Sequence, residues 1–492
     1  MPRLATRRSF IQGSLAAGAA LALPTSILRA AAANDEVNIG LIGCGGRGSE
    51  LLKMFHKIEG VNIAALCDPD QERTGALKKE YGQATTHTDL REVLDDKSID
   101  AVIIATCNHW HALAAIWAMD AGKDVYVEKP LASTHWEGQQ VVAAADRYRR
   151  ICQVGTQQRS DPMQAEIREF LHEKKALGEL QSVRANRYGV REPIGNRKSP
   201  LEPPTSVDYN LWLGPAQDEP LYRNKLHYDW HWSWNTGSGE MGNWGVHILD
   251  DVRNTVFQDK VKMPSKVAGG GRRVVWNDAG ETPNLHFAYF DAGGVPVVLG
   301  LCNLTASPES KRSPECPGPG SGYIAYYEGG RLEGQRGKAV AFDKDGKEIK
   351  QFNGTGGNDV HQANFIDAVR SRDVASLNTT AEVGLYSTGW CHLANIAFRA
   401  GEKLSHERVE EINRQSPRCE ELVNELAAVL DAHQVDHGSP QLRMSEVLLF
   451  DPEAEKFIGD DADAANKLLT REYREGFVVP EVSKAATQQA RA

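Results

Sequence analysis

The sequence lacks any paired-cysteine motif. Its eight cysteines stand singly at 44, 67, 107, 152, 302, 316, 391 and 419, a spacing that excludes CxxC-type zinc or redox chemistry. The first four fall on or at the ends of expected core strands and read as small buried hydrophobes, and Cys302 with Cys316 is the one pair with disulfide potential in an exported protein. Basic residues are also in deficit, 56 Lys+Arg against 66 Asp+Glu for a formal net charge of −10, which argues against nucleic acid as a partner. Past residue 33 no apolar run is long enough to cross a bilayer, and no internal repeat or low-complexity tract stands out. What remains, 492 residues with 41% hydrophobic content, suffices for two ordinary domain cores.

Residues 1–33 stand apart from the rest. Thr6-Arg7-Arg8-Ser9-Phe10-Ile11 precedes an uncharged Ala- and Leu-rich stretch that contains Gly13, Gly18 and Pro24 and ends in Ala31-Ala32-Ala33. This is the pattern of a twin-arginine export signal with a small-residue cleavage site; an uncleaved membrane anchor is the alternative. The expectation is a periplasmic protein whose mature chain begins near Asn34 and makes no stable membrane insertion after processing.

The densest signal follows. An apolar run (Val37, Ile39, Leu41, Ile42) leads into Gly43-Cys44-Gly45-Gly46-Arg47-Gly48, then into helix-compatible sequence, with Asp68 at the end of the next apolar strand. GxGxxG after a strand, at the start of a helix and with an acid about twenty residues on, is the dinucleotide fingerprint in its required context. Gly43 allows the tight turn, Gly45 lets the backbone approach a pyrophosphate, and Gly48 lets helix and strand pack closely. The free N–H groups of the helix start face the anion. Asp68 would accept from the adenosine ribose and repel a 2′-phosphate, which favours NAD over NADP, while Arg73 nearby softens that preference. A glycine-rich turn in an unrelated α/β protein is the competing reading.

Apolar strands alternate with helical stretches up to about residue 155, at Val61 to Cys67, Ala101 to Ala105, Val125 to Val127 and Ile151 to Val154, as in a doubly wound parallel sheet. The pattern then changes to longer strand-like segments, Gln181 to Tyr188, Lys266 to Val275, Asn284 to Phe290, Val295 to Leu301 and Tyr323 to Tyr327, which predict an α+β domain on a mostly antiparallel open sheet. Helical segments are expected at His361 to Arg370 and Leu385 to Arg399. The implied organisation is a signal over 1–33, a Rossmann domain over 34–155, a substrate and oligomerisation domain over 156–400, and a helical extension over 401–492.

Asp124-Val-Tyr-Val-Glu128-Lys129-Pro130 reads as a strand that ends in a charged pair and a proline. Together with the fingerprint, the Asn108 to His111 turn and Gly245-Val-His247-Ile-Leu-Asp250, it resembles the glucose-fructose oxidoreductase / inositol dehydrogenase (Gfo/Idh/MocA) family over roughly residues 36 to 400. The segment from Leu226 to Gly239 further resembles an exported branch of that family. The resemblance implies an amino-terminal Rossmann domain, a carboxy-terminal domain whose open sheet often serves as an oligomer interface, hence a homo-oligomer, and a cis peptide at Pro130. It assigns Lys129 to catalysis and substrate binding, and Gly46, Arg47, Thr106, Asn108, His111 and Glu128 to the cofactor site with the residues above.

Lys129, at a strand end, would project toward a nicotinamide and polarise a carbinol oxygen. His247 is the natural proton acceptor, since an alcohol loses a proton as its hydride leaves. Relatives commonly carry an aspartate four residues before this histidine; here the position is Asn243, so an Asp-His relay is in doubt. Asp250 would share a helix face with His247 and orient the ring or a substrate hydroxyl. A histidine packed in a domain interface is the bland reading of His247, and a surface ion pair that of Glu128 and Lys129. In His227 to Trp234, strand alternation would put His227, Asp229 and His231 on one side and Trp230, Trp232 and Trp234 on the other. Sugar contact by Trp230, His231 and Trp232 is favoured over a metal site, because hydride chemistry needs no metal; tryptophan core is the third reading. Arg159, after the last Rossmann strand, is similarly placed to reach substrate.

These residues describe an NAD-dependent oxidoreductase moving a hydride between a carbohydrate or cyclic polyol and a tightly held nicotinamide. An NAD-dependent glycosidase acting by transient oxidation and elimination is the alternative, although that group's histidine-containing segment is not found. A non-catalytic sugar-binding protein and a metal-dependent lyase or isomerase around His227, Asp229 and His231 complete the set.

Overall fold

A computed structural model describes residues 36–439, 442–460 and 462–483; the expected export signal over 1–33 lies outside them. The amino-terminal unit alternates β1 Val37–Ile42, α1 Gly46–His56, β2 Val61–Cys67, α2 Gln71–Lys78, β3 Thr85–His87, α3 Leu90–Asp95, β4 Ala101–Ile104, α4 Asn108–Asp120, β5 Asp124–Val127, α5 His135–Tyr148 and β6 Cys152–Val154. Its strands pair in parallel in the order β3-β2-β1-β4-β5-β6. Helices cover both faces, so β4 and β5 are buried along their whole length, as their unbroken apolar sequence demands. The strand order reverses between β1 and β4, and at that switch point a crevice opens beyond the carboxyl ends of the strands. Asp70, Asp89 and Thr134 cap α2, α3 and α5 through side-chain oxygens, whereas the cap of α1 is Gly45, with no side-chain cap bond. Its first-turn N–H groups are therefore left for another acceptor.

The second unit is built on one large sheet. Its strands β7 Leu180–Tyr188, β8 Lys266–Arg272, β9 Leu285–Ala292, β10 Val295–Cys302, β11 Ser321–Tyr327, β12 Gly330–Gln335, β13 Lys338–Asp343 and β14 Glu348–Asn353 run in the order β14-β13-β12-β11-β7-β10-β9-β8. The pair β7 and β10 is parallel and the other pairs are antiparallel. A π-helical turn, Met241–Gly245, feeds α6 Val246–Asp251, and α7 Val360–Ser371 and α8 Ala381–Ala400 follow the sheet. Val183, Ala185, Phe290 and Leu299 from one sheet face share a core with Val246 and Leu249 of α6, Trp390 and Leu393 of α8 and Leu113 of α4, so the two units meet in continuous apolar packing.

The residues after 400 are not solely helical. After β15 Glu402–Lys403, helices α9 His406–Gln415 and α10 Pro417–Ala432 are followed by β16 Arg443–Met444, β17 Leu448–Asp451 and β18 Lys456–Ile458, and both β16 and β17 pair with β8. Ile412, Leu422, Leu426 and Val429 pack on Tyr188, Phe287, Tyr289 and Val298, covering the sheet's outer face. The chain then returns to the first unit, where Phe477 meets the rings of Trp110 and Trp117 edge-on and obliquely. All eight cysteines are free, so the Cys302 to Cys316 bridge does not form; Cys302 is buried and packs as an apolar side chain.

Candidate active site

A cavity of about 600 Å³ lies beyond the carboxyl ends of the parallel strands, walled on one side by the first unit and on the other by residues 211–244. Gly43, Gly45, Gly46, Arg47, Asp68, Arg73, Thr106, Asn108, His111, Glu128 and Lys129 line it, as do Trp230, His231, Asn243 and Trp244. The glycine turn is built for close approach. Gly43 has φ 96°, and a methyl on Gly48 would stand 1.9 Å from the Gly43 carbonyl oxygen, so Gly48 serves helix–strand packing while Gly45 and Gly46 face the cavity. The backbone at Gly46 has nothing within 4 Å of where a side chain would begin. An uncapped helix start beside that open glycine fits the phosphates of a dinucleotide.

Asp68 is nearly buried and accepts from the N–H groups of Cys44 at 2.7 Å and Asp70 at 2.9 Å, which fixes its carboxylate on the cavity wall. Burial raises its pKa, against those two bonds and Arg73. Arg73 lies over Gly45 and 3.7 Å from Asp70. Arg47 donates to Glu128 at 2.7 Å. Burial opposes the Glu128 charge, but Arg47 and Lys129 outweigh it and hold the carboxyl below its ordinary value.

Lys129 precedes a cis peptide at Pro130. Its Nζ donates to the Asn243 carbonyl at 2.7 Å and to Asn243 Oδ1 at 3.2 Å, which ties strand β5 to the π-helical turn across the cavity. Burial pushes the lysine down to about 8, with Glu128 acting in the opposite direction. Asn243 Nδ2 in turn donates to Glu240 at 3.2 Å, and Glu240, fully buried, is held by Arg187 at 2.7 Å and Arg191 at 2.9 Å. Asn243 and Trp244, both in the π turn, line the cleft, and such local irregularity is common at functional sites. His247 follows Asn243 by four residues and is buried, with Nδ1 unpartnered, and is not among the cavity-lining residues. Burial, then Lys129, Arg336 and Arg47, push it well below the ordinary imidazole value, so it is neutral.

Several residues placed at the substrate by sequence lie elsewhere. Asp229–Trp232 is a 3-10 helix rather than a strand, so the two-sided alternation dissolves. His227 bonds Asp70 at 2.9 Å, while His231 stacks on Trp230 with centroids 3.6 Å apart and bonds the Tyr228 carbonyl at 2.6 Å. These histidines and Asp229 do not converge, and no metal-ligating cluster occurs among the described residues. Trp232 is buried beneath Arg191 and belongs to the core, not the cavity wall. Arg159 turns inward, pairing with Asp250 at 2.7 Å and Asp259 at 2.6 Å, and Asp250 also accepts from Ser387 at 2.6 Å. Both are buried, paired with one another, and absent from the cavity wall. Sequence reasoning missed Trp244, Glu240, Arg187, Arg191 and Arg336; Trp244 beside Asn243 was the one with a readable signal, an aromatic next to a suspected polar contact.

Residues 37–156 match the oxidoreductase family with the NAD-binding Rossmann fold, and residues 194–303 match its carboxy-terminal alpha/beta domain. The chain belongs to this Gfo/Idh/MocA family of oxidoreductases. It is 32% identical over 188 residues to 4-carboxy-2-hydroxymuconate-6-semialdehyde dehydrogenase of Sphingobium sp. (strain NBRC 103272 / SYK-6), covering 38% of this chain and 58% of that one. It is 36% identical over 137 residues to inositol 2-dehydrogenase 2 of Saccharopolyspora erythraea, covering 27% and 40%. In each case the match spans less than two thirds of the relative. The WlbA dehydrogenase from Bordetella pertussis, solved with NADH and UDP-GlcNAcA, shares the fold with a TM-score of 0.55 at 18% identity, over 74% of this chain and 97% of that one.

Proposed function

We propose that this protein oxidises a carbinol of a carbohydrate or cyclic polyol, or runs the reverse reduction, with a tightly held NAD. The observation that carries the reading is the meeting, in one cavity, of a fingerprint glycine turn, a ribose-facing Asp68 and a depressed lysine. NAD, when bound, supplies the hydride acceptor. The protein's part is to orient the carbinol and take its proton. Lys129 in its neutral form accepts the hydroxyl proton as the carbon-bound hydrogen leaves with its electron pair, so the substrate gives up a hydride from carbon and a proton from oxygen, the proton going to Nζ. Asn243 aims the lysine, and Trp230 and His231 offer a stacked surface to the sugar ring. His247 acts at one remove from the cavity, as a neutral partner behind Asn243. Export through the twin-arginine route belongs to the same proposal, as does self-association, which would have to use a surface other than the covered outer face of the sheet.

The test is to denature purified protein and identify the released nucleotide, then to give the intact protein a panel of sugars and polyols without free NAD while following the reduced nicotinamide band and the products. Reduction by one sugar and reoxidation by another supports the proposal. Release of NADP(H) would overturn the role of Asp68, and aglycone release without net oxidation would move the protein to the glycosidase reading.

A further inference from the structure

Beside Trp244, which lines the cavity, Arg187, Arg191 and Arg336 bring more positive charge than the nearby Glu240 and Asp251 offset, although the chain as a whole is acidic. Arg187 and Arg191 share a single carboxylate, Glu240. The guanidinium of Arg187 stands 4.5 Å from the centroid of Trp244, and that of Arg336 5.3 Å from it. Arg336 lies in the exposed turn between β12 and β13, and neither it nor Lys129 has an ion pair among the described residues. Among the described residues the Lys129 ammonium donates to the neutral oxygens of Asn243. Next to Lys129, Arg47 is already paired with Glu128, and the glycine turn offers backbone donors to a dinucleotide's phosphates.

We infer that the substrate is an anionic sugar, its carboxylate, sulfate or phosphate group held by Arg336 at the rim of Trp244 while the reacting carbinol sits at Lys129. A guanidinium suits such a group because its planar fork donates two parallel hydrogen bonds to an oxyanion. The excess charge also draws an anion in against the repulsion of an acidic protein, an effect that salt weakens. This inference rests on the carbohydrate reading above and adds the charge class of the substrate.

The experiment titrates the NAD-loaded protein with glucose, glucuronate, glucose 6-sulfate and glucose 6-phosphate, following tryptophan fluorescence for binding and nicotinamide absorbance for turnover. Binding of at least one of the charged sugars should be at least about tenfold tighter than binding of glucose, with Arg336→Gln bringing the ratio close to one and Arg336→Lys retaining part of it. The rank among the three oxyanions identifies which group the site takes. Equal binding of glucose and all three charged sugars, or a preference unchanged in Arg336→Gln, overturns the inference. Fluorescence decides this whether or not the nicotinamide changes; a silent absorbance with every sugar would instead count against hydride transfer.

Discussion

At the scale of single residues, Lys129 sets the expected pH dependence. Its folded value, about 8, is below the ordinary 10.5, so the neutral base gains population as pH rises through about 8. Sugar oxidation should therefore climb through that region to a plateau, and Lys129→Met should flatten the profile and slow the hydride step at least about a hundredfold with cofactor still bound. The sign for stability follows the same shift: the cost of charging a buried lysine is present below about 8 and is relieved between there and 10.5, so Lys129→Met should raise the thermal midpoint more at pH 7 than at pH 10. A full-rate Lys129→Met enzyme would return the proton to His247. The fingerprint glycines separate in a second comparison. A methyl at Gly48 meets backbone at 1.9 Å and should destabilise by roughly 1–3 kcal/mol, whereas one at Gly46 meets open space and should leave the melting temperature at or above that of the parent. Any loss of NAD affinity in Gly46→Ala then reports the cofactor itself, which calorimetric titration would measure.

At the scale of elements, what could be read from sequence depended on burial. The strands β7 to β11 are rich in apolar residues buried on both faces, and each expected segment overlaps the observed one. By contrast β12, β13 and β14 hold Arg331, Glu333, Lys338, Glu348 and Lys350 and bury few large apolar side chains, so no strong hydrophobic alternation announces them; they extend the sheet outward from the edge of β11. Short β15 to β18 are invisible for the same reason. The site was half legible. Residues fixed by local chain geometry, the glycine turn, Asp68 and the Glu-Lys-Pro corner, landed on the cavity, while Arg159 and Asp250, whose destinations depend on partners a hundred residues away, did not. The tail makes the point again, since nothing around Arg471 shows that it crosses to α5. There it pairs at 3.0 Å with Glu137, a carboxylate of zero exposure, and donates to the Asn235 carbonyl. Arg471→Gln leaves that acid buried without its cation and should cost about 3 kcal/mol in urea unfolding, and Glu137→Gln in the same background should recover part of it.

At the scale of the whole molecule, the segment that follows β7 in the second unit lies along the cofactor cavity, and the tail holds it down. Val207 bridges to Asp70, Asp208 N–H bonds the Pro69 carbonyl, and His227 bonds Asp70, which ties the segment to the Asp68 end of the cavity. Leu211, Trp212, Tyr228 and Trp230 from the same segment line the cavity. Arg474 then donates to the Gly214 carbonyl and to both oxygens of Asn210 at 2.9 Å each, while Phe477 anchors against Trp110, itself a cavity residue. Moving this segment away from a dinucleotide lying from Asp68 to Lys129 breaks contacts spread over two units. Slow cofactor release is the expectation, and with the export proposed above each turnover would restore the nicotinamide within the same site, with ping-pong kinetics where two sugars alternate. Arg474→Ala removes the tail's hold on residues 210 and 214 without touching the cavity wall. It should speed NAD loss about tenfold, read by gel filtration followed by nucleotide assay, while the first hydride transfer from a loaded enzyme keeps its rate. If the parent already exchanges NAD within its turnover time, the segment is only packing and the retained-cofactor cycle is wrong; if Arg474→Ala slows the first transfer as well, the tail acts on the chemistry rather than on the exit.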